Sequence, residues 1–216
     1  MNISWLGSGF VRLEYKNLSV AINPFTEVET GVKPPRFKFD LAVLSKLEDM
    51  STNPYVKNAD SSQFILAGDG EIEKNDVFIL GFSMNQPTST TTNAKNGNIF
   101  VLRGEEVNIA YLGFLPEGKL TPEMLDKIGA IDVLLVPVGD GDSLNETEAI
   151  AAINDLEPKI VIPINYALPG FKNNLNPLEK FLKAYGKQPA LTDKKITIKK
   201  SNLPPETLLY ILEPEL

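Results

Sequence analysis

The sequence predicts an α+β fold in which two mixed β-sheets pack face to face and helices cover the outer faces. Two observations lead to this prediction. The first half of the chain is a series of short β-rich runs separated by turns, whereas the second half alternates apolar runs with helical segments. No linker with a shift in composition and no internal repeat interrupts the 216 residues, so we expect a single domain over residues 1–216.

Short β-rich runs account for most of the first half. The dipeptide Lys16-Asn17 predicts a hairpin turn between two of them, and the threonine-rich stretch Gln86–Asn98 predicts an exposed loop or a long hairpin tip, with a binding lid as the alternative. The predicted strands are Ile3–Leu6, Phe10–Tyr15, Leu18–Ile22, Leu41–Leu44, Phe64–Ala67, Glu71–Glu73, Val77–Gly81, Ile99–Arg103 and Val107–Leu112.

Helix-start signals appear in the second half. Thr121 is a predicted N-cap with Pro122 at the first helical position, and Asn145 is the predicted cap of a second helix. The strands on either side of the second helix are near-continuous apolar runs, so we expect them to be adjacent, parallel and buried. The predicted elements are helices Thr121–Ile128, Glu146–Leu156 and from Asn176-Pro177 to about Tyr185, and strands Val133–Val136, Ile160–Ile164, Lys195–Ile198 and Thr207–Leu212.

The composition excludes several classes of protein. The chain has 21 basic and 28 acidic side chains and a net charge of −7, which argues against a general affinity for nucleic acid or for an anionic membrane. It contains no histidine and no cysteine, so a Ser-His-Asp triad, an H-E-x-x-H zinc site and a thiolate nucleophile are impossible. The N-terminal segment has no basic region followed by an apolar run, and we therefore expect a cytoplasmic protein.

Two glycine-containing turns are candidates for ligand sites. Gly7-Ser8-Gly9 lies between two predicted strands and does not open a helix, which excludes a dinucleotide-binding loop. Gly139-Asp140-Gly141-Asp142 follows a strand and precedes a helix, where ligands often bind in α/β sheets. It lacks the spacing of a calcium loop, and a tight turn is the preferred interpretation over a ligand site.

Six segments match the motifs of one known family in order and spacing. They are residues 3–10 (ISWLGSGF), 21–25 (AINPF), 44–51 (LSKLEDMS), 109–114 (IAYLGF), 133–139 (VLLVPVG) and 158–166 (PKIVIPINY). Together they resemble the metallo-β-lactamase superfamily, in its branch of lactonase-like and zinc-hydrolase-like cytoplasmic proteins. The resemblance extends from Met1 to about Pro169 and implies a four-layer αββα sandwich of the metallo-β-lactamase type.

The resemblance also implies where the family's metal ligands would stand, and none of its histidines is present. The positions of the metal-site ligands hold Lys46, Glu48, Met50, Ser51, Phe114 and Asn165. Ser8 stands in place of the histidine of the opening turn, and Asn23 in place of the aspartate of I-D-P-F. A protonated lysine and a phenylalanine cannot ligate a metal, and methionine is a soft donor suited to other metals. We therefore expect no zinc, no other cofactor and no catalytic residue of the family type.

Two of these substitutions suggest a new packing of the former site. We expect the Phe114 ring to fill space that metals occupy in the relatives. Our hypothesis for Lys46 is that its ammonium replaces the lost cation and pairs with a carboxylate, for which Asp49 and Asp69 are candidates. The alternative is a lysine that points into solvent from an ordinary loop.

Two functional classes remain. The first is a non-catalytic binding, scaffolding or oligomer-forming module whose partner, a small molecule or a protein, the sequence does not name; the resemblance adds the expectation of a homo-oligomer. The second is a metal-dependent hydrolase of the lactonase or phosphodiesterase type with a rebuilt carboxylate site. That site would hold Mg²⁺ or Mn²⁺ weakly through Glu48, Asp49, Asp69, Asp140 and Asn165. The non-catalytic class is favoured, because a metal-activated water needs a cation that is held tightly in an open geometry.

Overall fold

Two β-sheets and short helices make up the described part of the chain. The computed structural model describes residues 1–45, 53–83, 98–113, 119–141 and 144–216. In chain order the strands are β1 Asn2–Trp5, β2 Val11–Tyr15, β3 Leu18–Ile22, β4 Leu41–Leu44, β5 Phe64–Ala67, β6 Gly70–Lys74, β7 Val77–Ser83, β8 Asn98–Gly104, β9 Val107–Tyr111, β10 Val133–Pro137, β11 Ile160–Ile164, β12 Leu191–Asp193, β13 Lys195–Thr197 and β14 Leu208–Leu212. The helices are α1 Glu27–Thr30, α2 Pro54–Lys57, α3 Pro122–Ile128, α4 Glu146–Leu156 and α5 Leu178–Tyr185, with a 3₁₀ turn at Lys200–Asn202.

The strands form one sheet of six and one of eight. The first sheet has the order β13-β1-β2-β3-β4-β5, and the second has the order β12-β14-β11-β10-β9-β8-β7-β6. Residues of both sheets share one continuous hydrophobic core, so the sheets pack face to face. Helix α4 packs against β10 and α5. This two-sheet α/β architecture confirms the predicted fold class.

The first sheet has apolar side chains on both faces. Val20 and Ile22 of β3 lie in the core between the sheets, whereas Ala21 between them belongs to a second, smaller cluster with Phe10 and Phe25. This separation follows from the alternation of side chains along a strand. The smaller cluster supports the loop that leaves β3, which is one of the loops of the candidate site.

The predicted pair of central parallel strands is confirmed. β10 and β11 are adjacent and parallel, with Val133 opposite Ile160 and Pro137 opposite Ile164, and every residue of both strands is buried. The helix between them begins after Asn145, whose side chain accepts hydrogen bonds from the backbone of Thr147 and Glu148. The predicted cap is therefore present, and its two bonds satisfy amide groups that the helix itself leaves free.

The structure differs from the predicted elements at several places. Asn98, predicted to end an exposed loop, begins β8 and is 2% exposed; its neighbours at 84–97 lie outside the described residues. The third predicted helix begins at Leu178, one residue after Pro177, which is the N-cap. Four short elements were not predicted, namely α1, α2, β12 and the 3₁₀ turn. Within the described ranges, no helix is long and apolar enough to cross a membrane.

Candidate functional site

The predicted site positions that the structure describes lie at the ends of strands. Ser8 is in the turn between β1 and β2, and Asn23 and Asn165 directly follow β3 and β11. Ser45, which was not predicted as a site residue, directly follows β4. β3 and β4 are parallel, so their carboxyl ends meet at one edge of the first sheet. β11 ends against the Ser8 turn, which brings the second sheet to the same edge.

Ser8 and Asn165 are bonded to each other across this edge. The Ser8 Oγ donates a hydrogen bond to Asn165 Oδ1 at 3.0 Å, and the Asn165 backbone N–H donates to the Ser8 carbonyl at 3.0 Å. The indole Nε1 of the buried Trp5 donates to the same carbonyl at 2.8 Å. Two positions at which the resemblance implies histidines therefore form a neutral pair that connects the two sheets.

Asn23 is the centre of a second hydrogen-bonded group. Its Nδ2 donates to Ser45 Oγ at 2.7 Å and to the Tyr111 hydroxyl at 2.9 Å, and its Oδ1 accepts from the Ser45 N–H at 2.7 Å. The Tyr111 hydroxyl in turn donates to the Gly9 carbonyl at 3.0 Å. The amide of Asn23 thus uses both of its donors and its acceptor within the protein. We call these four residues, with Ser8 and Asn165, the neutral network.

Tyr111 and Ser45 were not predicted as site residues. Tyr111 lies on β9 in the second sheet, and its neighbours Asn23 and Gly9 belong to the first-sheet side. Burial raises the pKa of Tyr111 to about 12, although the hydrogen bond with Asn23 acts to lower it. The hydroxyl is therefore protonated at neutral pH and remains a hydrogen-bond donor. Both residues lie within segments that carry the family resemblance, but their contacts depend on long-range packing that spacing alone does not reveal.

The backbone of this edge is unusual. Ser8, Asn23 and Asn165 have φ values of 49°, 47° and 52°, and Asp140 has a φ of 62°, all in the left-handed region. For residues other than glycine this conformation costs roughly 1–2 kcal/mol each, and such strain tends to be retained at functional sites. The other left-handed non-glycine residues among those described lie in the hairpin turns 75–76 and 105–106 and at the end of α4.

At two glycines of this edge the backbone of another segment lies too close for any side chain in place of the glycine hydrogen. A Cβ at Gly139 would lie 2.2 Å from the Asn165 carbonyl oxygen, and one at Gly113 would lie 2.3 Å from the Asn98 carbonyl oxygen. Gly113 lies just after β9, and Gly139 lies just after β10. The positions of Asn165 and Asn98 are therefore fixed by backbone packing as well as by hydrogen bonds.

The two described carboxylates of the predicted cleft are engaged elsewhere. Asp69 Oδ1 accepts a hydrogen bond from Asn98 Nδ2 at 3.4 Å. Asp140 closes its own turn, because its Oδ1 accepts from the Gly141 N–H at 2.8 Å and its Oδ2 from Asn176 Nδ2 at 3.2 Å. In the part of the chain that the structure describes, no group of three or more histidine, cysteine, aspartate or glutamate residues is placed to hold a metal ion.

The remaining predicted site residues lie outside the described residues. They are Lys46, Glu48, Asp49, Met50, Ser51 and Phe114. The proposed ion pair of Lys46 and the expected burial of Phe114 therefore stay predictions, as does the role of Glu48 and Asp49 in a rebuilt carboxylate site.

The residues present do not fit the zinc centre that the resemblance implies. Zinc sites are built from thiolate, imidazole and carboxylate donors, and the whole sequence has neither cysteine nor histidine. At the described positions the donors are a hydroxyl and two amides, and each of them is bonded to other groups of the neutral network. We therefore derive no chemical step through a zinc ion.

Comparison with known proteins agrees with this architecture. A family model for the beta-lactamase superfamily domain matches residues 2–165. A UPF0173 protein from Pyrococcus abyssi is 23% identical over 200 residues, which covers 81% of this chain and 90% of the relative.

Solved structures resemble the chain over almost its full length. A candidate Zn-dependent hydrolase of the metallo-β-lactamase superfamily from Thermotoga maritima is 25% identical with a TM-score of 0.75, covering 99% of both chains. Igni18, a metallo hydrolase from Ignicoccus hospitalis, has a TM-score of 0.61 at 17% identity and covers 99% of this chain and 95% of its own, a likeness of fold alone. Because the family model spans most of the sequence and the sheets have this arrangement, the chain belongs to the metallo-β-lactamase superfamily.

Proposed function

We propose that this chain is a non-catalytic member of its superfamily, a binding or scaffolding module that keeps the fold without a hydrolytic metal centre. The observation that carries the proposal is the neutral network at the site edge. Asn23 makes three hydrogen bonds within it, and Ser8 and Asn165 make two with each other. The proposal takes residues 1–216 as one domain and retains the expectation of a cytoplasmic homo-oligomer.

The charge of the network supports this proposal. Hydrolytic metal sites hold their cation through carboxylate, imidazole or thiolate donors, and they must in addition leave a coordination position open for water. The described network contains only hydroxyl, amide and backbone groups, whose hydrogen-bonding capacity is largely used inside the protein. A cation at this place would have to break these bonds without gaining a charged ligand from the network, and breaking a buried hydrogen bond costs about 1–3 kcal/mol.

The strained backbone supports a role in binding. Three left-handed residues of the network hold short polar side chains at a fixed edge between two sheets. Because its hydrogen bonds are already made inside the protein, a frame of this kind offers a rigid, preformed surface to a neutral ligand or to a protein loop.

A metal-dependent hydrolase is the second candidate. It is favoured by the structural relative from Thermotoga maritima, which is a candidate Zn-dependent hydrolase. Glu48 and Asp49 would supply the carboxylates in that case. A hard cation such as Mg²⁺ or Mn²⁺ accepts oxygen donors, so the lack of histidine alone does not exclude this function.

Metal analysis together with an activity screen separates the two candidates. The purified full chain is assayed for bound metal by elemental analysis and for esterase, lactonase and phosphodiesterase turnover with added Mg²⁺ or Mn²⁺. We expect metal far below one equivalent, no turnover, and a melting temperature that does not respond to a chelator.

The double variant Glu48→Gln/Asp49→Asn is the matched control for this experiment. Under our proposal it behaves like the parent chain in all three measurements. Tight stoichiometric metal, or turnover that the double variant abolishes, would establish the hydrolase and overturn the proposal.

A further inference from the structure

One edge of the first sheet differs from the other sheet edges in the described part of the chain. The first sheet ends in β13 and β5, and the second ends in β12 and β6. β13, β12 and β6 each carry at least one charged side chain, and charges on an edge strand hinder its pairing with another chain. β5 consists of phenylalanine, isoleucine, leucine and alanine, so its edge lacks this protection.

The backbone of β5 has hydrogen-bonding groups that no described strand uses. The N–H groups of Phe64 and Gly68 donate to carbonyls of the β4 segment. Because backbone groups alternate in direction along a strand, those of Ile65 and Ala67 are directed away from β4. Among the described strands, only β4 pairs with β5. The N–H and C=O groups of Ile65 and Ala67 therefore have no ladder partner in that part of the chain and are placed to extend the sheet.

Apolar side chains lie beside this edge. Phe64 is 47% exposed and is one of three large hydrophobic side chains that are exposed among the described residues. Leu66, on the same face of β5, is half-buried at the margin of the main core, and so is Ile72 of β6, the strand that follows β5 and contacts it. A partner that covers this margin removes apolar surface from water, which favours association.

We infer that β5 pairs with β5 of a second copy of this chain, antiparallel and about a two-fold axis at Leu66. In this register Ile65 lies opposite Ala67 of the second copy, so the groups that are directed away from β4 in the two copies bond to each other. The same surface serves both copies, as the contact of a two-fold dimer requires. The inference rests on the homo-oligomer that the proposed function retains, and it names the surface that forms it.

The shape of the edge fits a second copy in this register. Phe64 lies opposite Gly68 of the second copy, in a pair that is not hydrogen-bonded and whose side chains are therefore close together. The space over Gly68 is open, since a Cβ there would meet only Asn98 Nδ2, at 3.8 Å. The exposed Phe64 ring of each copy thus covers a glycine of the other, a pairing that stabilises glycines at sheet edges.

The charges beside the edge are complementary in the same register. Lys74 Nζ lies 4.1 Å from the centre of the Phe64 ring and 3.2 Å from the Ser62 carbonyl oxygen, to which it donates. Gln63, which lies between Phe64 and Ser62, is placed opposite Asp69 of the second copy. Asp69 is exposed, so each Lys74 ammonium comes close to a carboxylate of the other copy. The two-fold axis forms this pair twice.

Pairing through β6 and protection of β5 by Lys74 are the competing explanations. Two copies of β6 paired about Ile72 would place Glu71 opposite Glu73, and like charges directly opposite each other are destabilising. Protection by Lys74 requires only a solvated charge near the edge. It requires neither the open space over Gly68 nor a carboxylate at the matching place.

The test begins with the mass of the purified full chain, measured by light scattering and by sedimentation over a wide range of concentration. We expect an equilibrium between monomer and dimer. Ala67→Pro removes an N–H that the β4 ladder does not use, and an edge strand tolerates proline at such a position. A symmetric dimer loses two hydrogen bonds by this change, so its dissociation constant should rise roughly tenfold or more.

Thr197→Pro is the matched control on the opposite edge of the same sheet. The Ile198 N–H donates to the Met1 carbonyl, so the N–H of Thr197, one residue earlier in this extended segment, is directed away from β1. The control therefore also places a proline where an edge strand tolerates it. It should leave the dissociation constant of the dimer unchanged, and circular dichroism verifies that both proline variants are folded.

Charge reversal tests the register. Lys74→Glu and Asp69→Lys each place like charges together twice in a dimer of the variant with itself, so each variant should dimerise more weakly than the parent chain. An equimolar mixture of the two variants should dimerise more tightly than either alone, because each then meets the opposite charge on the other. Only a contact that pairs these two residues between copies gives this result.

The outcomes separate this inference from the proposed function. A monomer at every concentration overturns the inference together with the homo-oligomer expectation. A dimer that Ala67→Pro does not weaken, or that Thr197→Pro weakens equally, overturns the β5 contact alone. A mixture of the charge variants that is no tighter than each variant alone overturns the two-fold register. Metal content and turnover are measured independently, so the non-catalytic proposal can fail while the dimer contact holds.

Discussion

The Tyr111 hydroxyl holds together groups that belong to different parts of the molecule. It accepts from Asn23, which follows β3 of the first sheet, and donates to Gly9 in the turn between β1 and β2, while its own strand, β9, belongs to the second sheet. Tyr111 is 4% exposed, so water does not compensate these groups when the hydroxyl is lost. The Tyr111 hydroxyl is therefore the point at which the second sheet joins the Asn23 group of the neutral network.

Tyr111→Phe should therefore destabilise the protein by about 1–3 kcal/mol, the cost of leaving buried hydrogen-bonding groups unsatisfied. Urea denaturation of the variant and the parent chain measures this difference. Tyr185→Phe is the matched control, because the Tyr185 side chain stacks on Phe181 and no hydrogen bond of its hydroxyl is found within the described ranges. An equal change in the two variants would show that the network has no special energetic role.

The starts of helices α3 and α4 are marked by capping residues that the sequence reveals. Thr121 and Asn145 both form capping boxes, and α4 ends at Glu157 in the left-handed conformation. A cap matters most for α4, since this helix connects the two parallel strands β10 and β11 and packs against α5. The ion pair between Lys180 and Glu146, at 3.2 Å, adds a contact between α5 and the first turn of α4.

Asn145→Ala should lower the free energy of unfolding by about 1 kcal/mol, because two amide groups in the first turn of α4 lose their acceptor. The matched control is Asn154→Ala, the same substitution at an exposed position inside the same helix. Alanine has the higher helix propensity, so this control should be neutral or slightly stabilising. Thermal or urea unfolding checks both, and a control that destabilises as much as the cap variant would contradict the capping argument.

Elements that depend on periodicity were predicted better than very short ones. Apolar runs such as β10 and β11 and the capped helix α4 agree with the sequence to within one residue. α1 and α2 have four residues each and β12 has three, too few for a hydrophobic period to be recognised. The capping box of Thr26 and Glu29 before Gly31 was a usable signal for α1, whereas β12 exists only because it pairs with β14.

At the scale of the whole molecule, the sequence identifies the positions of the site but not its contacts. Ser8, Asn23 and Asn165 were predicted from their places in family motifs, and the structure brings Ser8 to Asn165. The partnership of Asn23 with Tyr111 spans 88 positions, and no local pattern indicates it. Asp69 and Asp140 do not share a metal-binding group among the described residues, because Asp69 bonds Asn98 and Asp140 closes its own turn.

Because of three buried tyrosines, we expect the free energy of unfolding of the whole molecule to decrease at alkaline pH. Burial raises the pKa of Tyr15, Tyr111 and Tyr166, with Glu105 adding to the effect at Tyr15 and Glu179 and Glu213 at Tyr166. The Tyr15 hydroxyl is buried without a hydrogen-bond partner among the described residues, so nothing stabilises its ionised form there. In the unfolded chain all three phenols ionise near their ordinary pKa of about 10.

The free energy of unfolding should consequently be unaffected by these tyrosines below about pH 10 and should fall above it. The folded state then keeps protons that the unfolded state has released, and each such tyrosine contributes a slope of about −1.4 kcal/mol per pH unit until its own folded pKa is passed. For Tyr111 this window runs from pH 10 to about 12. Urea denaturation between about pH 9 and pH 11 measures the slope. Tyr111→Phe should make the slope above pH 10 less negative by about 1.4 kcal/mol per pH unit. The two proteins differ at this residue alone, so the comparison isolates its contribution. Parallel curves for the two would mean that Tyr111 ionises in the folded state as readily as in the unfolded chain.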